Sequence, residues 1–184
     1  MTAWELPVTV TVGGQEFAIR SDYRAVLDAI SALGDVELEP GEQAAACLRI
    51  LYPDWERLPD IAEAFAAAME FINLGEPVKK NEQPKPKLVD WDKDAKLIAP
   101  AVDKVLGYPC RRCEYLHWWE FVGAYMSIGR GPFADVVNIR SKRRRGKKLE
   151  PYELEFEREN RDLIALPEQQ LTNEEEEFFK RLGV

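Results

Sequence analysis

One group of residues has the types and spacing that suit metal binding or thiol chemistry. Cys110 and Cys113 show the Cys-x-x-Cys spacing of zinc sites, His117 offers a third ligand and Cys47 a fourth. The arginines between the two cysteines would also activate a thiol for redox chemistry. A structural zinc site usually needs a second close pair of ligands, however, and a redox motif needs a strand-to-helix setting that this stretch lacks. We interpret the cysteines as incidental loop residues, and the sequence predicts neither a metal nor a cofactor.

Catalysis would require a nucleophile beside a base. His117 and Glu120 lie one helical turn apart, but no nucleophile is placed with them. The glycine pairs Gly13-Gly14 and Gly129-Arg-Gly131 do not have the spacing of phosphate-binding loops after a strand. The sequence therefore predicts a protein that is not an enzyme.

A basic run between Arg140 and Lys148 contains seven cationic residues in nine positions. Such a run can bind phosphates through counterion release, which keeps a nucleic-acid-binding regulator as an alternative. Nucleic acid is the less favoured partner, because the flanks are acidic, the net charge is −8 and no groove-reading motif is present. We interpret the run as a charged loop that contacts an acidic partner or the chain's own Glu-rich tail, with Arg143, Arg144 and Arg145 as candidate contacts.

The stretch from Leu116 to Phe121, with the sequence LHWWEF, has the most unusual local composition. At about 100° per helical residue, Trp118, Trp119 and Phe121 cannot all face the same side. Large aromatic side chains anchor interfaces well because they bury much area at little entropic cost. These three residues are therefore candidates for partner binding, and the alternative is an aromatic core helix.

Size and charge limit the class of protein. The chain has 184 residues, of which 46% are hydrophobic, which suits one compact domain or one domain with an appendage. Its net charge of −8 should repel nucleic acid and anionic membranes at long range. No apolar run approaches the roughly 20 residues that span a bilayer, and the N-terminus lacks the features of a secretion signal. We expect a cytoplasmic protein that does not bind membranes.

A β-hairpin and several helices must position these residues. Two alternating runs flank Gly13-Gly14, which predicts a hairpin with a primed turn. N-capping residues, helix-terminating residues and apolar stripes predict three helices after the hairpin. They run from Asp22 to Gly34, over about 42–51, and from Pro59 to Gly75. The hairpin and these helices form a predicted N-terminal subdomain over 1–75.

The stretch 76–89 is rich in proline and lysine, and it predicts a linker. A helical C-terminal subdomain is expected over 90–184. Its first helix should kink or begin near Pro100, and an aromatic helix over 115–126 and a short helix over 133–139 should follow. An apolar stripe with helical spacing begins at Tyr152, and a capping box at Thr172 and Glu175 predicts a helix in the tail. The predicted fold class is mainly α (α+β), a helical bundle with a small N-terminal β-hairpin.

Four groups of motifs follow one another along the chain. They are Leu6 to Gly14 with Ile19 to Arg24, Val89 to Ala95, Leu116 to Phe121, and Val137 to Arg140. In this order they resemble the bacteriophage "gene product fifteen" family of Gram-positive siphophages and prophages. The HWWEF string is the most specific of them, and the resemblance runs from Leu6 to about Leu166. Pro100 and the Cys110–Cys113 pair depart from the family pattern.

The resemblance implies a function in tail morphogenesis. The family is similar to the small proteins encoded between the major tail protein and the tape-measure protein, which are tail assembly chaperones. It therefore implies a protein that binds the tape-measure protein, recruits major tail (tube) protein subunits and is absent from the mature virion. Self-association is left open. The alternatives are a structural virion component, such as a tail or connector subunit, and the nucleic-acid-binding regulator.

Overall fold

The computed structural model describes residues 4–77 and 88–166. These residues form two strands, eight α-helices and two short 3-10 turns, at Trp55–Arg57 and Cys110–Arg112. The elements are β1 Thr9–Val12, β2 Gln15–Ala18, α1 Tyr23–Leu33, α2 Pro40–Leu51, α3 Ile61–Ile72, α4 Ala95–Leu106, α5 Trp118–Met126, α6 Pro132–Arg144, α7 Pro151–Glu159 and α8 Arg161–Ile164. A mainly α fold with an N-terminal hairpin is confirmed. Most of the predicted linker (78–87) and the predicted tail helix from Thr172 lie outside the described residues.

Local signals explain the N-terminal elements. Gly13 and Gly14 both have positive φ, 59° and 74°, as a primed two-residue turn requires, and Val12 pairs with Gln15 across it. The side chain of Asp22 accepts a hydrogen bond from the backbone N–H of Arg24 at 3.0 Å, which caps α1. These predicted features are confirmed.

The described residues divide into two compact units. Unit 1 contains 4–77 and Tyr115–Phe121, so it holds the hairpin, α1 to α3 and the first turn of α5. Its core includes Val12, Val26, Leu48, Leu51, Tyr52 and Phe71. Unit 2 contains 88–114 and 122–166, and its core includes Ile98, Val102, Val136 and Ile139. Within the described ranges, none of the helices has the length and apolar content that crossing a bilayer requires.

Three helices differ from the sequence prediction. Helix α4 begins at Ala95 and continues through Pro100. Because proline has no N–H, the carbonyl four residues before it loses its partner within the helix. Pro100 lies on the exposed side of the helix, so water can bind that carbonyl. Helix α5 begins at Trp118, three residues later than predicted. Helix α6 extends to Arg144, so the first part of the basic run is helical, and the interpretation of that part as a loop is wrong.

Candidate partner-binding site

The aromatic stretch is attached to the start of α1 by backbone hydrogen bonds. The N–H of Tyr23 donates to the carbonyl of Leu116 at 2.9 Å, and the N–H of Trp118 donates to the carbonyl of Ser21 at 2.7 Å. The carboxylate of Asp22, which caps α1, also accepts from the N–H of Leu116 at 3.1 Å. One aspartate therefore begins α1 and fixes the entry to α5.

Both tryptophan indoles bind the C-terminal end of α3. The Nε1–H of Trp118 donates to the carbonyl of Ile72 at 2.8 Å, and the Nε1–H of Trp119 donates to the carbonyl of Phe71 at 3.0 Å. Carbonyls in the last turn of a helix have no partner within that helix, so the two indoles supply donors at the end of α3. The carbonyl of Phe71 also accepts from the backbone N–H of Leu74 at 3.2 Å. Gly75 has a φ of +82°, and a Cβ there would lie 3.1 Å from Cη2 of Trp119.

Trp118 and Phe121 lie in the core of unit 1, each with 3% of its surface exposed. Phe121 stacks on Tyr23 with ring centroids 4.4 Å apart and planes 7° apart. Trp119 is half-buried, so it keeps part of its ring at the surface. The partner-binding role of Trp118, Trp119 and Phe121 stays a prediction, and among the three only Trp119 offers a partner exposed ring area in this conformation.

His117 is fully buried and has both ring nitrogens in hydrogen bonds. Its Nδ1 accepts from the backbone N–H of Trp119 at 3.0 Å, and its Nε2 lies 2.9 Å from the carbonyl of Pro7. Because a backbone N–H must donate and a carbonyl must accept, the proton of the neutral ring is on Nε2. The ring therefore caps α5 and holds the N-terminal segment.

The cysteines have structural surroundings. Cys47 is fully buried in unit 1, and burial raises the pKa of its thiol to about 12. In unit 2, Cys110 is buried and Cys113 is half-buried. The thiol of Cys113 donates a hydrogen bond to the backbone carbonyl of Cys110 at 2.8 Å. The described ranges contain no group of three or more His, Cys, Asp or Glu side chains arranged to hold a metal ion.

Arg140 is the polar centre of unit 2. Its guanidinium forms a two-pronged ion pair with Asp94, at 2.6 and 2.9 Å, and both side chains are almost completely buried. Its remaining N–H groups donate to the carbonyls of Leu88, Leu163 and Ile164. Arg140, the first residue of the basic run, thus connects three chain segments inside unit 2 and is not a surface cation.

The next cations of the run are paired with α7. Lys142 forms an ion pair at 2.7 Å with Glu153, a buried carboxylate that also accepts from the amide of Asn138 at 2.7 Å. Arg143 pairs with Glu157 at the surface. Hydrogen bonds from Lys142 and Arg143 hold the pKa values of these two glutamates below their ordinary range.

The remaining cations of the run are exposed, and Arg144 among them lines a groove. Arg144, Arg145, Lys147 and Lys148 are exposed and form no ion pair within the described part of the chain. The groove has a volume of about 420 Å³ and a mostly apolar surface, and it is lined by Leu88, Arg140, Arg143, Arg144, Ile164 and Leu166. We call it the basic groove. Its surface can bury apolar side chains, and Arg144 is a lining cation that can pair with a carboxylate.

The family model described as Bacteriophage Gp15 protein matches residues 4–166. The chain belongs to this family. It is therefore a bacteriophage protein of the structural or morphogenesis class. Neither a curated protein nor a solved structure shows significant similarity to it.

The part of the chain that matches the Gp15 family includes residues whose roles were not predicted. Asp94 and Arg140 form the buried ion pair, but in the sequence Asp94 stood out only as part of the motif Val89 to Ala95, and Arg140 only as the end of the motif Val137 to Arg140 and the start of the basic run. Two charged residues of opposite sign at such positions were the available signal. Glu153 was also missed, although its spacing from Glu150 fits the capping box that begins α7.

Proposed function

We propose that this Gp15-family protein is a tail assembly factor that works by binding other phage proteins and not by catalysing a reaction. In this proposal it binds the tape-measure protein, keeps it soluble and recruits tail-tube subunits until the tail is built. The observation that carries the proposal is the basic groove, a mostly apolar surface whose lining includes the exposed Arg143 and Arg144, on a chain with a net charge of −8.

The groove suits a helix that has an apolar face and acidic neighbours. Leu88, Ile164 and Leu166 can cover the apolar side chains, and Arg144 can pair with a carboxylate. Arg145, the exposed residue that follows it, adds a second positive charge at the end of α6. Exposed ion pairs contribute only about 0–1 kcal/mol each, and a groove of about 420 Å³ accepts few side chains. Each copy should therefore bind weakly, so that many copies coat a long partner and tube subunits can displace them.

The test is co-expression with the tape-measure protein of the same prophage, followed by capture of the complex. The informative variant is Arg144→Glu with Arg145→Glu. The matched control is Lys104→Glu with Arg112→Glu, which changes the charge equally at exposed residues of unit 2 outside the groove. We expect the wild type and the control to keep the tape-measure protein soluble, and the groove variant to lose most of the capture.

A wild-type protein that captures nothing, while the tape-measure protein stays insoluble, would contradict the chaperone function. Recovery of this protein from purified particles would then favour a structural virion component. The four exposed cations also support the nucleic-acid alternative. That alternative requires salt-sensitive retention on DNA, which the groove variant loses and the control variant keeps.

A further inference from the structure

We infer that helix α7, Pro151–Glu159, pairs with α7 of a second copy of this chain in an antiparallel arrangement. In this pair Glu155 of each copy binds Arg158 of the other copy, so the same ion pair forms twice. The inference goes beyond the proposed function, because it assigns a contact between copies of this chain and requires no other phage protein.

Helix α7 packs on α6 through charged side chains and presents apolar ones on its outside. Glu153 is the buried residue of the helix, and both it and Glu157 bind cations of α6. Tyr152 and Leu154 are instead exposed over 63% and 48% of their surface. A surface helix usually turns its apolar residues toward the core. The outer face of α7 therefore has apolar area that a partner can bury.

Two opposite charges lie on the same outer face. The side chains of Glu155 and Arg158 are 66% and 69% exposed, and their closest charged atoms are 4.0 Å apart, which is long for an ion pair. An exposed contact of this kind contributes little stability, so both charges can exchange it for a closer partner. Leu154 precedes Arg158 by four residues and therefore lies on the same side of the helix.

The order of these charges makes the face self-complementary. When two copies of α7 lie antiparallel, with the two-fold axis level with the midpoint between Glu155 and Arg158, each glutamate lies opposite the arginine of the other copy. A parallel pair in register would instead place each charge opposite one of the same sign. Leu154 of each copy lies beside an ion pair, where the aliphatic stem of the opposing arginine can cover it.

The size of this face sets the strength of the contact. A helix of nine residues is about 13 Å long, so a pair of them buries less than the roughly 1,000 Å² of a stable interface. We therefore expect a dissociation constant on the order of 0.1–1 mM. Such a contact forms where many copies are bound side by side, because neighbours on one long partner have a high effective concentration.

Sedimentation of the full-length chain at concentrations up to about 1 mM tests the pairing. The wild type should be in equilibrium between monomer and dimer. Glu155→Arg and Arg158→Glu should each weaken dimerisation at least about tenfold, because either homodimer would have two contacts between like charges in place of two ion pairs. A wild type that stays monomeric, or equal dimerisation of all three chains, would overturn the inference.

Mixing the two variants separates a lost contact from a misfolded chain. In a mixed pair of Glu155→Arg with Arg158→Glu, both contacts join unlike charges again, so the equimolar mixture should dimerise about as well as the wild type. The chain that carries both substitutions should do so by itself, for the same reason. A mixture that stays as monomeric as its components would overturn the antiparallel pairing.

The matched controls change the charge equally at exposed residues outside α7. They are Glu37→Arg and Lys104→Glu, and both should leave the dissociation constant unchanged. Equal weakening by these controls would mean that net charge, and not the α7 face, governs the association. None of these measurements contains the tape-measure protein, so their outcome is independent of the capture experiment.

Discussion

Replacement of Arg140 by lysine should destabilise unit 2 strongly while keeping the positive charge. The guanidinium donates five hydrogen bonds, two to the carboxylate of Asp94 and one each to the carbonyls of Leu88, Leu163 and Ile164. An ammonium group has three donors, so at least two of these acceptors lose their partner in a buried site. Each loss costs about 1–3 kcal/mol, which gives about 2–6 kcal/mol in total.

Hydrogen exchange followed by mass spectrometry can locate this effect. Peptides from α4 and α6 should lose protection in Arg140→Lys, because these helices carry the two sides of the ion pair. The matched control is Arg144→Lys, an exposed arginine one turn further along α6, which should change stability by less than about 0.5 kcal/mol. Urea denaturation of both variants supplies the free energy of unfolding.

The reasoning would be refuted if Arg140→Lys and Arg144→Lys had the same stability as the wild type. A loss of protection confined to α1 and α2 would also contradict it, since these helices belong to unit 1. Asp94→Asn provides a second measurement, because it leaves a buried guanidinium without its counter-charge, and one-sided removal of a buried pair costs about 3–5 kcal/mol.

Three further predictions follow from single contacts. A thiol reagent should modify Cys113 in the native protein but Cys47 only after denaturation, because Cys47 is buried and its pKa is raised to about 12; equal native rates would contradict this. The carboxylate of Glu153 has a lowered pKa in the folded state, so the stability it contributes is present above a pH of about 4.3 and is lost as the pH falls. In acid titrations followed by circular dichroism, Glu153→Gln should reduce this pH dependence of stability. The control Glu155→Gln, at an exposed residue, should not change it. His117→Phe removes both ring nitrogens from buried contacts and should cost about 2 kcal/mol or more in urea denaturation, and a neutral result would exclude its capping role.

Elements with local signals were predictable from the sequence. Two consecutive glycines between alternating runs predict the hairpin, since few other residues adopt positive φ at both turn positions. Asp22 similarly predicts the start of α1, because its side chain needs only a backbone N–H two residues away. Both predictions depend on neighbours in the chain, and both are confirmed.

Features that depend on distant residues were not predictable in the same way. Helix α6 was predicted over 133–139, but it continues to Arg144, where Glu153 and Glu157 of α7 neutralise two cations of the basic run. The composition of the aromatic stretch was visible, but the burial of Trp118 depends on a carbonyl of α3, 46 residues earlier in the chain. Separate subdomains over 1–75 and 90–184 stay a prediction.

The contribution of Tyr115–Phe121 to unit 1 has a consequence for synthesis on the ribosome. The carbonyl of Pro7 is translated 110 residues before its partner His117. At about 5–20 residues per second, Pro7 is therefore translated roughly 5–20 s before His117, and the end of α3 roughly 2–9 s before the indoles that bind it. A premature stop anywhere between α3 and α5 would yield a chain that contains every helix of the N-terminal half and still cannot complete its fold. The nascent chain is thus exposed to aggregation and proteolysis until the LHWWEF stretch has been made.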